Sequence, residues 1–390
     1  MEHVTTVASH TEMQLPPLSL YIHIPWCVQK CPYCDFNSHT LKGEIPEVEY
    51  IQALLQDLRS ELSRVHERQL HSIFIGGGTP SLISAAGIKT LLTGVAEMIP
   101  FSDTIEITME ANPGTVEAAR FHAYVAAGVN RISIGVQSLQ AEKLNLLGRI
   151  HDPEEAIRAA QIATNSQLNS FNLDLMHGLP HQNLSDALYD LNAAVELAPP
   201  HLSWYQLTIE QNTQYYSKPP TLPDEDVLWD IFEQGHALLS AAGYEQYEIS
   251  GYAKTGKQCR HNLNYWRFGD YIGIGCGAHG KLTEPKEGKV YRRSKIKHPR
   301  GYMDANKPFL DDEHTVAQEE LPFEFIMNRF RLLEPTPKQD FIDFTGLALA
   351  VVAPQINTAI MKGLLTETET HWQVTKLGHR YLNSLFDIFL

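Results

Sequence analysis

The segment Trp26–Phe36, WCVQKCPYCDF, places Cys27, Cys31 and Cys34 at the spacing C-x3-C-x2-C, directly after an apolar run. Thiolates are soft ligands that favour zinc ions and iron–sulfur clusters. Three thiolates leave one position open, because a tetrahedral zinc ion needs a fourth ligand and a [4Fe-4S] cube keeps one iron without a protein ligand. The interpretation of the whole chain depends on what fills that position.

Zinc is the alternative to a cluster. His23 and His39 lie within sequence reach of the cysteines, and either is a candidate for a fourth zinc ligand. Against zinc, the chain has no second ligand pair at zinc-finger spacing, and the cysteines follow a strand of a barrel-like pattern. The spacing therefore favours a cluster. Its open iron would bind a chelator such as the amine and carboxylate of S-adenosylmethionine (SAM), whose C–S bond breaks on electron transfer to the sulfonium.

The composition indicates a globular protein of a reducing compartment. The chain has 390 residues, of which 43% are hydrophobic, and its formal net charge of −15 argues against a nucleic-acid partner. Five cysteines, three of them clustered, fit metal binding better than a secreted disulfide framework. The sequence shows neither a signal peptide nor an apolar run of membrane-spanning length. We therefore expect a cytoplasmic protein, which can still associate transiently with the inner face of a membrane.

Short apolar strands alternate with helical patterns over the first 210 residues. The predicted strands are Leu18–Ile24, Ser72–Ile75, Thr104–Met109, Arg131–Val136, Phe171–Met176 and Leu202–Leu207. The predicted helices are Val48–Val65, Ile88–Met98, Val116–Ala127, Pro153–Thr164 and Leu184–Leu197. This alternation predicts an α/β fold of parallel strands with right-handed crossovers, as a doubly wound open sheet or an incomplete, TIM-like (β/α)6 barrel.

Polar residues recur at the carboxyl ends of these strands. They are the turn Gly76–Thr79, Glu110, Gln137, Asp174 and Thr208. Each has an ordinary structural explanation, such as a tight turn for the glycines or a helix cap for the aspartate. Because α/β barrels carry their chemistry at that end, the recurrence favours a barrel with a binding site there.

The pattern changes after residue 210. We divide the chain into an N-terminal lead (1–17), the barrel (18–210), an aromatic- and glycine-rich extension of the barrel (211–310) and a C-terminal domain (311–390). The C-terminal domain is mostly helical and ends in a helix–hairpin–helix pattern that resembles a small winged helix. It carries twelve acidic and six basic residues, so we expect packing or partner docking rather than DNA binding.

These motifs together resemble the radical SAM superfamily, and within it the coproporphyrinogen III dehydrogenase-like group of HemN-type enzymes and HemW-type haem chaperones. The resemblance rests on YIHIPWC, GGGTPS, GVQSL and DLMHGLP and extends from about Leu18 to the C-terminus. It implies a [4Fe-4S] cluster on Cys27, Cys31 and Cys34. It also implies contacts to SAM or to a second ligand from Tyr21, Tyr33, Gly77, Gly78, Thr79, Glu110, Gln137, Arg149, Asp174 and Thr208.

Two features separate the members of this group. HemN-type enzymes carry another cysteine two residues after the third, where this chain has Phe36. HemW-type proteins carry an H-N-x-x-Y sequence associated with haem, and this chain has HNLNYW at His261–Trp266. The resemblance thus implies haem contacts from His261, Asn262 and Tyr265, with the histidine as a candidate axial ligand.

Alternatives remain for these residues. His261 has a structural explanation as a buried, hydrogen-bonded histidine, and His23, beside the cysteines, competes with it as haem ligand. Cys259 and Cys276 are interpreted as inert buried thiols. The glycines of GIGCGAHG, which include residue 277, would let the backbone approach a flat second ligand.

The function expected from this resemblance is that of a haem chaperone with a [4Fe-4S] cluster, SAM and haem. It would pass haem to apo-proteins, respiratory haem enzymes at the membrane among them, and its open cluster would gate the transfer, with dimerisation as one route. The alternative is oxygen-independent oxidative decarboxylation of coproporphyrinogen III, which Phe36 disfavours. A radical haem-modifying enzyme is a third option.

Overall fold

A computed structural model describes residues 12–115 and 118–390. Residues 1–11 of the expected lead, and Val116 and Glu117 at the start of an expected helix, lie outside the described residues. The strands are β1 Leu18–Ile24, β2 Trp26–Cys27, β3 His39–Thr40, β4 Leu70–Gly77, β5 Phe101–Ala111, β6 Arg131–Gln137, β7 Ser170–His177, β8 His201–Gln206, β9 Glu245–Gln246, β10 Gly251–Ala253, β11 Asp270–Ile274, β12 His279–Glu284, β13 Lys289–Lys295, β14 Leu310–Thr315, β15 Thr336–Pro337, β16 Leu365–Glu367 and β17 His371–Val374.

Helices connect most of these strands. The α-helices are α1 Glu47–Glu61, α2 Ala85–Met98, α3 Ala118–Ala127, α4 Ala141–Leu146, α5 Pro153–Asn165, α6 Leu184–Glu196, α7 Gln214–Ser217, α8 Glu225–Ala241, α9 Arg260–Trp266, α10 Pro299–Tyr302, α11 Leu321–Arg329, α12 Lys338–Thr345, α13 Ala353–Met361, α14 Lys376–Arg380 and α15 Leu382–Phe386. Short 3-10 turns occupy Leu62–Arg64, Pro80–Leu82, Pro113–Thr115, Pro285–Glu287 and Leu349–Val351.

The main sheet has the strand order β14-β13-β12-β11-β1-β4-β5-β6-β7-β8-β10-β9. Neighbouring strands from β11 to β8 are parallel, and the strands beyond them on both sides pair antiparallel. Since β14 and β9 form its two ends, the sheet stays open. The expected α/β fold with an incomplete barrel of parallel strands is confirmed.

One parallel strand was missing from the sequence interpretation. Strand β11, in the aromatic- and glycine-rich extension, pairs parallel with β1 in the register Leu18↔Asp270 to Ile22↔Ile274. It continues into the antiparallel strands β12–β14. HNLNYW, in the same segment, forms helix α9.

Alternate residues of the parallel strands face two different layers. Leu20 and Ile22 are fully buried and belong to the same apolar core as helical residues such as Leu54. Their neighbour Ser19 faces the barrel interior, where its hydroxyl lies 2.7 Å from that of Ser72 on β4. The apolar core thus lies between sheet and helices, and the interior of the barrel contains polar side chains together with rings such as that of Phe74.

The C-terminal domain has its own core. Helices α11–α15 surround a three-stranded antiparallel sheet in the order β15-β17-β16, and Phe325, Phe341 and Trp372 are buried between them. Phe268, which follows α9, joins this core and so connects the domain to the barrel extension. Among the helices described, none has the length and apolar character required to cross a lipid bilayer.

Candidate cofactor site

The cysteine loop follows β1 at the carboxyl end of the barrel. Strands β2 and β3 close its base with the register Trp26↔His39 and Cys27↔Thr40. Cys27 is buried, whereas Cys31 and Cys34 are half-buried. In the described residues no three His, Cys, Asp or Glu side chains are grouped so as to hold a metal ion.

A cavity of about 350 Å³ opens beside this loop. Sequence-predicted residues that line it are Cys27, Cys31, Cys34, Tyr33, Gly77, Gly78, Thr79, Glu110, Gln137, Arg149 and Asp174. The folding of the chain thus brings most of the predicted cofactor residues together from β4, β5, β6, β7 and the loops that follow them. Gln137 ends β6 with a left-handed backbone, at a φ of 67°.

Two carboxyl groups face one another across this cavity. Glu110 accepts a hydrogen bond of 3.0 Å from the backbone N–H of Gly77. Burial and the nearby Asp174 raise the pKa of Glu110 to about 8. Burial also raises the pKa of Asp174, although Ser133 and Asn172 donate hydrogen bonds of 2.8 Å to its carboxylate. A cationic ligand in the cavity would stabilise the ionised forms of both groups.

Arg149 connects the cysteine loop to the barrel. Its guanidinium donates to the backbone oxygen of Gly135 at 2.8 Å, and it lies 3.6 Å from the sulfur of Cys31. A third contact goes to the side-chain oxygen of Asn112. Its buried Nε has no hydrogen-bond partner. Arg149 lines the cavity, where an anionic group of a ligand would pair with its charge.

The glycines of GGGTP have a structural explanation that differs from the ligand approach inferred from sequence. A Cβ on Gly77, whose φ is +115°, would lie 2.5 Å from the ring of His23. A Cβ on Gly78 would lie 2.5 Å from the backbone oxygen of Trp26. The backbone N–H groups of Gly78 and Thr79 donate to the oxygens of Ile24 and Trp26, each at 2.7 Å. Glycine is required here because the turn packs directly against the start of the cysteine loop.

Two of the residues predicted to contact SAM or a second ligand at this end of the barrel, Tyr21 and Thr208, do not line the cavity. Tyr21 points into the barrel one layer deeper, where its ring stacks on Phe74 and its hydroxyl lies 2.9 Å from His23 Nδ1. The hydroxyl of Thr208 donates to Glu210 at 2.8 Å in the loop after β8. Contacts from these two residues to a cofactor remain predictions.

The HNLNYW segment lies toward the opposite, amino end of the barrel. His261 in α9 is 1% exposed. Its Nδ1 lies 2.9 Å from the Ser72 hydroxyl and its Nε2 lies 2.8 Å from the Tyr265 hydroxyl, while its ring stacks on Phe74. Burial lowers the pKa of His261 to about 3, so the imidazole is neutral. Both ring nitrogens are engaged, and iron ligation would require one of these hydrogen bonds to break.

The competing histidine is also fully engaged. His23 is 4% exposed, and its Nε2 lies 2.9 Å from the backbone oxygen of Asn37 while Nδ1 faces Tyr21. Burial lowers the pKa of His23 to about 4. Cys259 and Cys276 are buried thiols, and burial raises the pKa of each to about 12. These values keep both thiols protonated, as expected of inert cysteines.

Several lining residues were not singled out from the sequence. They are Gln29, Lys30, Phe36, Ser38, Asn112, Ser133, Gly135, Met176 and Tyr205. Ser133 and Tyr205 could have been predicted from the sequence, because alternation along a strand places them on the same face as other residues of the barrel interior. Phe36 is 56% exposed at the rim of the cavity. It was noted only as the residue that replaces a cysteine.

Comparison with families of known proteins gives two matches. Residues 21–193 match the radical SAM superfamily, and residues 316–381 match the HemN C-terminal domain. The first match contains the cysteine loop and the strands β4 to β7, whose carboxyl ends line the cavity. The second lies within the C-terminal domain.

Individual relatives match over nearly their whole length. The chain is 62% identical over 378 residues to heme chaperone HemW of Escherichia coli, covering 97% of this chain and 99% of the relative. It is 60% identical over 381 residues to heme chaperone HemW of Haemophilus influenzae, covering 97% of this chain and 99% of that relative. Heme chaperone HemW of Bacillus subtilis is 34% identical over 381 residues, covering 95% of this chain and 99% of that relative.

A solved structure supports the fold. Coproporphyrinogen III oxidase (HemN) of Escherichia coli superposes with a TM-score of 0.82 at 22% sequence identity, covering 97% of this chain and 91% of that one. At this identity the likeness concerns the fold alone.

Proposed function

Since the chain belongs to the HemW haem chaperone family of the radical SAM superfamily, we propose that it binds haem and passes it to apo-proteins, with a [4Fe-4S] cluster and SAM as cofactors. The observation that supports this proposal is the single cavity that joins three cysteines to Glu110 and Arg149. At its rim stands Phe36 rather than another cysteine.

The residues present fit the two cofactors. Cys27, Cys31 and Cys34 would hold the cluster and leave one iron open to the cavity. Arg149, which lines the cavity beside Cys31, would bind the carboxylate of SAM, and Glu110 would face its positive charge. Gly77, Gly78, Thr79, Gln137, Asp174 and Tyr33 would complete the binding site. Bound together, the cofactors supply one-electron cleavage of the SAM sulfonium.

The haem site includes His261, Asn262 and Tyr265 of α9 in this proposal. The helix also binds Glu106, whose carboxylate accepts from the backbone N–H of Arg260 at 2.9 Å and of His261 at 3.2 Å. Because Nε2 of His261 lies 2.8 Å from the Tyr265 hydroxyl, haem iron would compete with that hydroxyl for this nitrogen. His23 has no better access, because both its nitrogens are also engaged.

Replacing Tyr265 with phenylalanine tests this assignment. The substitution removes the hydroxyl that lies 2.8 Å from His261 Nε2 and keeps the ring. If the imidazole ligates iron through Nε2, haem affinity should be retained or increased and a histidine-ligated spectrum should persist. Loss of the histidine-ligated spectrum in this variant would contradict ligation through this nitrogen, whereas weaker binding with that spectrum retained would assign a haem contact to the Tyr265 hydroxyl itself.

The chaperone function is tested on anaerobically reconstituted protein. We expect iron and sulfide in the ratio of a [4Fe-4S] cluster, a Soret shift on haem titration, and haem transfer to an apo-protein acceptor. Failure to shift the Soret band or to transfer haem would refute the proposal. Formation of decarboxylated porphyrinogen from coproporphyrinogen III would instead establish the alternative activity, for which the chain lacks the further cysteine at position 36.

The acceptors in this proposal are apo-forms of respiratory haem enzymes. The chaperone would work in the cytoplasm and meet these acceptors at the inner face of the membrane, as a monomer or a homodimer. No nucleic acid takes part. Co-sedimentation with membranes that contain or lack such acceptors tests where the acceptors are met. The molecular mass in solution gives the oligomeric state.

A further inference from the structure

We propose that Asn37 is a positioning residue that fastens the cysteine loop to the turn between β11 and β12 and so sets the place of Cys34. The inference rests on the proposed function only in requiring that a cluster occupies the three cysteines. Asn37 lies three residues after Cys34 and two before β3, in the part of the loop that returns to the barrel.

The side chain of Asn37 bridges two distant backbone segments. Its Nδ2 donates to the oxygen of Cys276 at 2.9 Å and to the oxygen of Lys297 at 2.8 Å. Since backbone oxygens only accept hydrogen bonds, these partners require the amide nitrogen on this side. Both N–H groups of the amide are thereby used. The third neighbour, the sulfur of Cys276 at 3.4 Å, is a weaker acceptor.

The backbone of Asn37 provides a second attachment. Its oxygen lies 2.9 Å from His23 Nε2, and an oxygen can only accept, so this nitrogen carries the proton. His23 lies in β1, one residue before Ile24 at the strand's end. The residue is therefore held by the barrel wall on one side and by the β11–β12 turn on the other.

The glycines of GIGCGAHG explain how the turn approaches so closely. A Cβ on Gly277 would lie 2.3 Å from Asn37 Nδ2, and a Cβ on Gly275 would lie 2.5 Å from the backbone oxygen of His23. Both residues have positive φ, of +75° and +100°. Gly277 thus makes room for Asn37 of the cysteine loop, and Gly275 makes room for β1.

The other side-chain contacts of this part of the loop are internal, apart from that of His39, whose Nε2 lies 3.3 Å from the same Lys297 oxygen. Lys30 donates to the oxygens of Phe36 at 3.2 Å and Ser38 at 3.5 Å, but all three residues belong to the same loop. The hydroxyl of Ser38 lies 3.8 Å from the sulfur of Cys34. Displacement of Asn37 would therefore move the segment that carries the third cysteine and its hydroxyl neighbour.

The substitution Asn37→Asp tests the proposal with little change in shape. It removes both N–H donors and places a carboxylate against two backbone oxygens. In the cluster-free protein we expect amide hydrogen exchange at residues 36–41 to quicken by roughly tenfold or more, because each lost hydrogen bond contributes about 1 kcal/mol. In the reconstituted protein we expect a changed cluster reduction potential and EPR spectrum at unchanged iron and sulfide content. Asn165→Asp is the matched control, since that amide donates only within helix α5.

The substitution Gly277→Ala disturbs the same contact from the other side. Its control is Gly256→Ala, because Gly256 has a similar φ of +74° but nothing within 4 Å of the added Cβ. We expect Gly277→Ala to reproduce the exchange and potential changes of Asn37→Asp, and Gly256→Ala to leave both at wild-type values.

The outcomes separate this inference from the proposed function. Wild-type exchange rates and potential in both Asn37→Asp and Gly277→Ala would overturn the positioning role while leaving the cluster in place. A wild-type protein that takes up no cluster would refute the proposed function instead. Equal effects in Gly277→Ala and Gly256→Ala would assign the change to backbone strain and would also count against the positioning role.

Discussion

Replacing His261 with alanine should lower the free energy of unfolding by roughly 3–5 kcal/mol. The imidazole is 1% exposed and is packed between Phe74 on β4 and Tyr265 in its own helix, with ring centroids 5.1 Å and 4.7 Å away. It also holds α9 to the barrel through Ser72. These contacts make it a structural residue whether or not it also binds iron.

The magnitude follows from two losses. Alanine leaves the Tyr265 hydroxyl without its partner at 2.8 Å, which costs about 1–3 kcal/mol in a buried site. Ser72 loses less, because its hydroxyl keeps the neighbouring hydroxyl of Ser19 at 2.7 Å. The space of the missing ring adds about 2 kcal/mol, as for other large-to-small substitutions in cores.

The assay is equilibrium denaturation of the cluster-free protein, compared with the variant His71→Ala. His71 is an exposed neighbour of Ser72 on β4, so its replacement should change stability by no more than about 0.5 kcal/mol. Haem titration of the same variants after cluster reconstitution should show weaker uptake for His261→Ala alone. A stability loss below about 1 kcal/mol would refute the structural role inferred from these contacts.

Three further predictions concern the cofactor site. Folding raises the pKa of Glu110 from 4.5 to about 8, so the folded protein retains a proton that the unfolded chain releases, and stability should fall as pH rises between these values and level off above them. Glu110→Gln should flatten that slope in denaturation series at several pH values; an unaltered slope contradicts the assignment. Gly78→Ala should cost about 1–3 kcal/mol and weaken cluster uptake, because the backbone oxygen that its Cβ would meet at 2.5 Å cannot turn aside; wild-type melting and iron content would disprove this. Serine at Cys27, Cys31 and Cys34 together should abolish cluster absorbance without unfolding the protein, as measured by circular dichroism and sulfide analysis, and retained sulfide would require other ligands.

The barrel and most of its site were predictable because the relevant signals are local. Period-two apolar runs define the strands, and parallel strands place their carboxyl ends at one edge. Glu110, Gln137 and Asp174 therefore meet at the cavity although dozens of residues separate them. The three cysteines are likewise predictable as metal ligands, because they lie close together in one short segment of the sequence.

Depth within the barrel was not predictable in the same way. Alternation assigns Tyr21 to the interior face but not to a layer, and the residue lies below the cavity, against Phe74. Strand β11 was missed because DYIGI is short and contains a glycine, and its partner β1 lies some 250 residues earlier. The neighbours that engage His261 are equally remote, since Ser72 is separated from it by 189 residues.

The two ends of the barrel share the strands β1 and β4. Phe74 contacts His261 toward one end and Tyr21 toward the other, and Tyr21 in turn reaches His23, which holds Asn37 in the cysteine loop. A substitution in α9 therefore acts on a wall that also supports the cluster site. Loss of haem uptake in His261→Ala identifies a haem contact only if the cluster's EPR spectrum in the same sample is that of the wild type, because an altered spectrum would assign the loss to this shared wall.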